Sequence, residues 1–256
     1  MLHKAKALKG RQLIATDGAI GSVADFYFDD QFWAIRYLVA ETGSWLTGRA
    51  VLLSPYAVDS VSADGKEIVT ALSRKQIEAS PSIESNKPVS KQFEESYYGY
   101  YGWPSYYGGP LMWGSYPSIS RDPEYWAAPE PGKNSWDPHL RSVREVTGYH
   151  ILATEGEIGH VSDFIIDDES WAIRYLVVDS SNWLPGKKVL VSSDWIEKVS
   201  WETATVSVRL TREAIKSAPD YVEEALLERE YETRLHGHYQ RPGYWQAEQG
   251  VVDPTR

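Results

Sequence analysis

The residues best suited by type and spacing to do chemistry are two histidines and two pairs of aspartates. His236 and His238 flank a glycine, and on an extended strand they would present both imidazoles to one side. Asp29-Asp30 and Asp167-Asp168 are adjacent carboxylates. Two imidazoles with a carboxylate cluster would make a site for a borderline metal ion. Two histidines without cysteine or a neighbouring carboxylate fall short of one, so H-G-H reads as part of a polar arm. Each aspartate pair closes a run I-G-x-V-x-D-F, where turn-forming aspartates bond to nearby backbone N–H groups. The chain contains no cysteine, which excludes disulfides, thiolate metal sites and cysteine catalysis. No phosphate-cradling glycine loop or nucleophile elbow stands before a helix. No residue is therefore assigned a catalytic, metal-binding or cofactor-binding role. The expectation is a protein that is not an enzyme and carries no cofactor.

Two further charges stand out. Arg36 and Arg174 sit inside the otherwise apolar block W-A-I-R-Y-L-V. A charge there needs a partner or a route to solvent. If the acidic turn closes a hairpin, Asp25 lies opposite or diagonal to Arg36, and Asp163 to Arg174; these are the expected structural cross-strand pairs. Arg49, Lys187 and Lys188 follow a W-L-x-G turn and read as a solvated loop, with RNA contact as the functional alternative. Trp45 and Trp183 on the same turn are expected to pack over a barrel end.

The elements that position these residues occur twice. From Gly10 and again from Gly148 the chain repeats itself without a gap at a constant offset of 138 residues. W-A-I-R-Y-L-V is identical in both copies, at Trp33–Val39 and Trp171–Val177, and L-[ST]-R-x-x-I recurs at Leu72 and Leu210. Each copy reads as about six short strands with turns every 8–12 residues, the pattern of a small closed barrel. The glycines Gly18, Gly21, Gly156 and Gly159 fall between strands and mark a tight turn and a bulge. Ser73 and Thr211 are good N-caps for a short following helix. The fold class is thus mainly β: two tandem small antiparallel barrels, each followed by a short helix and an extended aromatic arm. The expected boundaries are 1–82 for the first barrel, 83–139 for a helical segment, arm and linker, 140–220 for the second barrel, and 221–256 for a C-terminal helix and arm.

The run D-G-x-I-G-x-V-x-D-F, the acidic turn, W-A-I-R-Y-L-V and G-[RK]-x-V-L-[LV]-S extend from Asp17 to Ser54, and again from Glu155 to Ser192. In these residues the chain resembles the PRC-barrel family. That family includes the barrel of the photosynthetic reaction-centre H subunit and the C-terminal domain of the bacterial ribosome maturation factor. The resemblance implies a compact barrel that holds other proteins or tunes a neighbouring site, and it brings no shared catalytic residues.

The segment Ser96–Pro117, S-Y-Y-G-Y-Y-G-W-P-S-Y-Y-G-G-P-L-M-W-G-S-Y-P, holds seven Tyr and two Trp without a charge. The offset maps K-Q-F-E-E-S-Y-Y-G-Y-Y-G-W-P from Lys91 onto R-E-Y-E-T-R-L-H-G-H-Y-Q-R-P from Arg229, with four identities. Each ring left in water exposes ~150–250 Å² of surface that burial would remove, so the arms should lie on something. Candidate interaction residues are Tyr97, Tyr98, Tyr100, Tyr101 and Trp103 in the first arm, and His236, His238 and Tyr239 in the second. The simplest arrangement is an exchange in which each arm crosses to the other barrel or to a second copy of the chain. Residues 118–139 read as the linker.

The net charge of −10 repels phosphate backbones and disfavours general nucleic-acid binding. No run approaches the ~18 apolar residues of a membrane span, and the N-terminus lacks the apolar run of a signal peptide. The expected protein is cytoplasmic, engages a protein partner or itself, and forms a homo-oligomer. Its function is that of an interaction or assembly scaffold. The alternatives are a ribosome- or RNA-associated maturation factor, a small-ligand binder, or an accessory protein of a photosynthetic reaction centre.

Overall fold

A computed structural model describes residues 1–46, 48–62, 66–80, 91–103, 139–180, 187–223 and 227–249. Residues 118–138 of the expected linker, the first arm's aromatic residues beyond Trp103, and Trp183 lie outside the described residues. In chain order the first half comprises β1 (Leu2–Lys4), α1 (Ala5–Leu8), β2 (Gln12–Ala15), β3 (Gly18–Asp29), β4 (Ala34–Glu41), β5 (Ala50–Leu53), β6 (Val58–Val61), β7 (Glu67–Thr70), α2 (Arg74–Glu78) and α3 (Lys91–Tyr101). The second half comprises β8 (Leu140–Ser142), α4 (Val143–Val146), β9 (His150–Ala153), β10 (Gly156–Asp167), β11 (Ile173–Asp179), β12 (Lys188–Ser192), β13 (Ile196–Ser200), β14 (Thr205–Val208), α5 (Arg212–Lys216), α6 (Arg229–His238) and α7 (Tyr244–Gln249).

The strands form two seven-stranded sheets of the same order, β5-β4-β3-β2-β7-β6 and β12-β11-β10-β9-β14-β13. Neighbours are antiparallel except β2 with β7 and β9 with β14, which run parallel. The mainly β class therefore holds. Hydrogen bonding does not close the barrels, because the ladder stops at β5 and β6, and at β12 and β13. The chain bridges each of these pairs with a 3-10 turn, Pro55–Ala57 and Ser193–Trp195. Ser54 and Ser192 cap these turns by accepting the amides of Tyr56 and Asp194.

The seventh strand of each sheet is a finding the sequence reading missed. β1, from the start of the chain, pairs with the end of β10 (Leu2 opposite Asp167). β8, which leads the second copy, pairs with the end of β3 (Leu140 opposite Asp29). Each sheet thus takes its last strand from the segment that leads the other copy. The chain accordingly divides into two units that cut across the sequence boundaries. One is Lys6–Val143 with Asp168–Ala172, and the other is Met1–Ala5, Arg144–Asp167 and Ile173–Arg256. Exchange was expected of the aromatic arms, but among the described residues it is these three-residue strands that cross over.

Local chemistry explains the long hairpins. β3 carries a register shift between Val23 and Asp25 and another between Tyr27 and Phe28, and β10 repeats both. The expected glycine bulge is present. Gly21 has φ 150°, and a Cβ there would lie 1.9 Å from the Glu41 carbonyl oxygen; Gly159 has φ 141° and would lie 2.1 Å from that of Asp179. Only a residue without Cβ permits that approach. Trp33 and Trp171 do not begin the strands as the identical block implied. They close the hairpin turns at φ 54° and 55°, an uncommon conformation for a bulky residue. Both rings are buried, and Trp33 stacks on Phe28 at 5.3 Å.

β4 is buried along seven of its eight residues, consistent with a near-continuous apolar run in the centre of a sheet. The first core gathers Leu13, Ile20, Phe26, Phe28, Leu38 and Ile68, and the second gathers Ile151, Ile158, Phe164, Leu176, Val189 and Val206. The expected N-caps are in place. Ser73 and Gln76 form a reciprocal capping box, and Thr211 accepts the Ala214 amide. Asp17 accepts the Arg74 amide at 2.7 Å, and Glu155 accepts that of Arg212 at 2.8 Å. The one conspicuous difference between the two D/E-G turns therefore preserves the bond.

Candidate interaction site

The aromatic arms are helical where they are described. α3 and α6 replace the extended segments expected from sequence. Each lies on the barrel of its own copy. Tyr97 is buried, donates its hydroxyl to the Leu52 carbonyl at 3.1 Å and accepts the Ser54 amide at 3.0 Å. It thereby satisfies backbone groups at the end of β5, where the ladder stops. Burial pushes its phenol well above the ordinary range. Tyr98 is buried against Tyr37. Tyr101 is half-buried and stacks on Trp103 at 4.4 Å, and its phenol is pushed up to about 12, chiefly by burial.

The second arm uses the same positions with different chemistry. His236 stands at the place of Tyr98 and is buried against Tyr175 and Trp195. Its Nε2 lies 3.0 Å from the Tyr175 hydroxyl, and its Nδ1 lies 2.9 Å from the Pro242 carbonyl oxygen. Tyr175 also lies 2.8 Å from Glu232, which is itself buried. Tyr239 packs against Trp195 at 4.6 Å, the rings tilted by 54°. Trp195 takes the place of Ala57, so the ring that covers Tyr239 comes from the barrel, whereas the ring that covers Tyr101 is Trp103 from the arm.

A helix also separates the two histidines. Positions i and i+2 point about 200° apart on a helix, and His238 turns away to the Ala214 carbonyl at 2.7 Å. The two imidazoles are therefore not on one side, as an extended strand would place them. Among the described residues no group of three or more His, Cys, Asp or Glu side chains is placed to hold a metal ion.

Arg36 and Arg174 form ion pairs with the aspartates four residues beyond Asp25 and Asp163. Arg36 meets Asp29 at 3.5 Å, with Arg36 0% and Asp29 2% exposed. Arg174 meets Asp167 at 2.8 Å. The cause is register. Asp25 faces Val39, Asp29 faces Ala34, and Arg36 is the extra β4 residue where the register shifts between Tyr27↔Tyr37 and Phe28↔Ile35. Asp25 accepts the Phe26 amide and the Ser142 hydroxyl of β8, and Asp163 accepts the Phe164 amide. Asp29 keeps the turn role as well, accepting the amides of Gln31 and Phe32. Asp30 instead pairs with Arg141 and His139, each at 2.9 Å.

The basic residues after the W-L-x-G turn also have local work. Arg49 donates to the Ser80 carbonyl at 2.7 Å, just past α2. Lys187 donates to the carbonyls of Lys216 and Ala218 at the end of α5 and pairs with Asp220 at 2.9 Å. Both cations complement the unsatisfied carbonyls of a helix C-terminus. Lys188 pairs with Glu223 at 2.6 Å.

A line of rings remains at the surface of the first copy. Tyr56, 51% exposed, lies 5.6 Å from Trp103, which stacks on Tyr101, which lies 4.8 Å from Tyr100, 42% exposed. Sequence reasoning found three of these four residues through their density in the arm. It missed Tyr56, which follows Pro55 on the 3-10 turn and carries no signal of its own.

No helix among the described residues is long and apolar enough to cross a membrane. No curated protein matches the chain. Residues 138–214 match the family model of the PRC-barrel domain, a span that runs from just before β8 into α5. The second copy thus matches the PRC-barrel domain, and the first copy shares its strand order.

Proposed function

We propose that the chain is a non-enzymatic tandem-barrel scaffold that binds another protein surface, including a second copy of itself, through the rings of its first arm. The observation that carries this reading is the surface line of rings in which Tyr56 and Tyr100 are exposed, with Trp103 and Tyr101 half-buried between them. Tyr97 and Tyr98 already seal the barrel, so the outward rings are not needed for its core. Aromatic side chains exposed together on a rigid support are characteristic of protein interfaces. The RNA-associated alternative would draw on Arg49, Lys187 and Lys188. Their engagement with helix ends and with Asp220 and Glu223 weighs against it.

The test is light scattering over a concentration series, together with capture from the source cell, using the intact chain and the Tyr56→Ser/Tyr100→Ser variant. Both residues are exposed, so the variant should keep its fold. The expected result is association or a captured protein that the variant loses. Identical behaviour of the two chains would overturn the proposal.

A further inference from the structure

We propose that docking α6 onto the second barrel takes up one proton, shared along a buried Glu232–Tyr175–His236 chain, so that the arm is latched at mildly acidic pH and loosens as the pH rises. Three contacts make the case: Glu232 Oε1 to Tyr175 Oη at 2.8 Å, Tyr175 Oη to His236 Nε2 at 3.0 Å, and His236 Nδ1 to the Pro242 carbonyl oxygen at 2.9 Å. Each contact needs a proton between its two heavy atoms. The carbonyl can only accept, so Nδ1 carries a proton. A tyrosine hydroxyl supplies one more. A neutral histidine and an ionised glutamate supply no third. The third contact therefore requires either an imidazolium or a carboxylic acid. Both placements hold one proton more than the separated groups do above the ordinary histidine range of about 6.5.

The groups around the chain decide where that proton sits. From α6 itself Arg229 reaches Glu232 Oε2 at 2.9 Å. From α7 the Tyr244 hydroxyl lies 3.0 Å from Glu232 Oε1. From β11 Arg174, held by Asp167, lies 3.9 Å over the Tyr244 ring. Asp194, beside Trp195 on the 3-10 turn, favours the imidazolium, and Arg241 lies 5.8 Å over the Trp195 ring. Against these, burial is the largest influence on both titrating groups, raising the Glu232 carboxyl and lowering the His236 imidazole. Arg229, Tyr244 and Asp194 favour the carboxylate–imidazolium placement and burial favours the neutral one, so the extra proton is shared along the Glu232–Tyr175–His236 chain, with His236 Nδ1 donating to the Pro242 carbonyl.

The pH window follows from these directions. A raised Glu232 contributes stability that is present below the ordinary carboxylate range, about 4.3, and lost as pH rises through its folded value. A lowered His236 contributes stability that is present above about 6.5 and lost as pH falls. Above about 6.5 the separated groups hold no extra proton, so the proton that the three contacts require is taken up on docking, and docking weakens with rising pH.

The test is hydrogen exchange of the α6 amides in the full chain from pH 6 to pH 9, corrected for intrinsic exchange rates. The expected result is protection that falls by up to about tenfold per pH unit, the slope of one proton. The α3 amides, where Tyr98 stands in place of His236, should keep constant corrected protection. Glu232→Gln supplies a permanent N–H donor to Tyr175, and its α6 protection should be independent of pH and at pH 9 exceed that of the wild type. Wild-type α6 protection that is flat across this range overturns the proposal without reference to any variant. So does a Glu232→Gln chain that keeps the wild-type slope.

Discussion

Arg36 carries the clearest consequence of a single side chain. It is fully buried and faces Asp29, itself 2% exposed, whereas the equivalent pair Arg174–Asp167 keeps some access to water. Removing one partner of a buried pair leaves an uncompensated charge, at a cost of about 3–5 kcal/mol. Arg36→Met should therefore lower stability to urea by that amount, and by more than Arg174→Met. Equal losses in the two variants would contradict the burial difference. Tyr97 offers a second contrast. Tyr97→Phe keeps the ring but removes the partner of the Ser54 amide and the Leu52 carbonyl. A loss of about 1–3 kcal/mol is expected in the same measurement. The need for these residues was partly legible in sequence. A charge inside W-A-I-R-Y-L-V announces a partner, and the partner is an aspartate of the preceding strand. Which aspartate depends on a bulge at Tyr27/Phe28, where no glycine marks the place.

At the scale of elements, periodicity and turn chemistry located the strands, and they placed Gly21, Gly159, Ser73 and Thr211 in the roles they fill. Gly21→Ala would drive its Cβ into the Glu41 backbone, an obstacle that no side-chain rotation removes. A loss of about 3 kcal/mol or more is expected, read as a lowered thermal midpoint. A neutral substitution would mean that β3 and β4 do not approach as described. The arms were misread as extended because K-Q-F-E-E-S-Y-Y-G-Y-Y carries a glycine and aromatics, which are poor helix formers. What makes α3 a helix is tertiary: Tyr97 and Tyr98 bring adjacent rings onto the barrel, and Tyr100 reaches the Gln76 carbonyl at 3.0 Å. Propensity is a weak guide where packing of this kind decides the outcome.

At the scale of the whole molecule, the 138-residue offset made the two copies plain in the sequence. It could not show that three-residue strands at their leading ends are exchanged. β1 and β8 are too short to carry a periodic pattern, and their pairing depends on where the chain leads them. The exchange has a non-local consequence. Deleting residues 1–4 should raise hydrogen exchange at Ile165–Asp167 of β10, the strand β1 covers, and leave β2–β7 unchanged. A change confined to β2–β7 would contradict the described pairing. The exposed rings belong to this scale too, since they are what remains once each arm has covered its own barrel. The most direct test of the interaction reading places a photo-crosslinking phenylalanine analogue at Tyr100 of the full chain in its source cell. The same probe at Val222, 56% exposed in the other unit, serves as the control. The scaffold account predicts a discrete adduct, to a second copy or to one other protein, from the Tyr100 probe and none from Val222; equal or absent crosslinking at the two positions would contradict it.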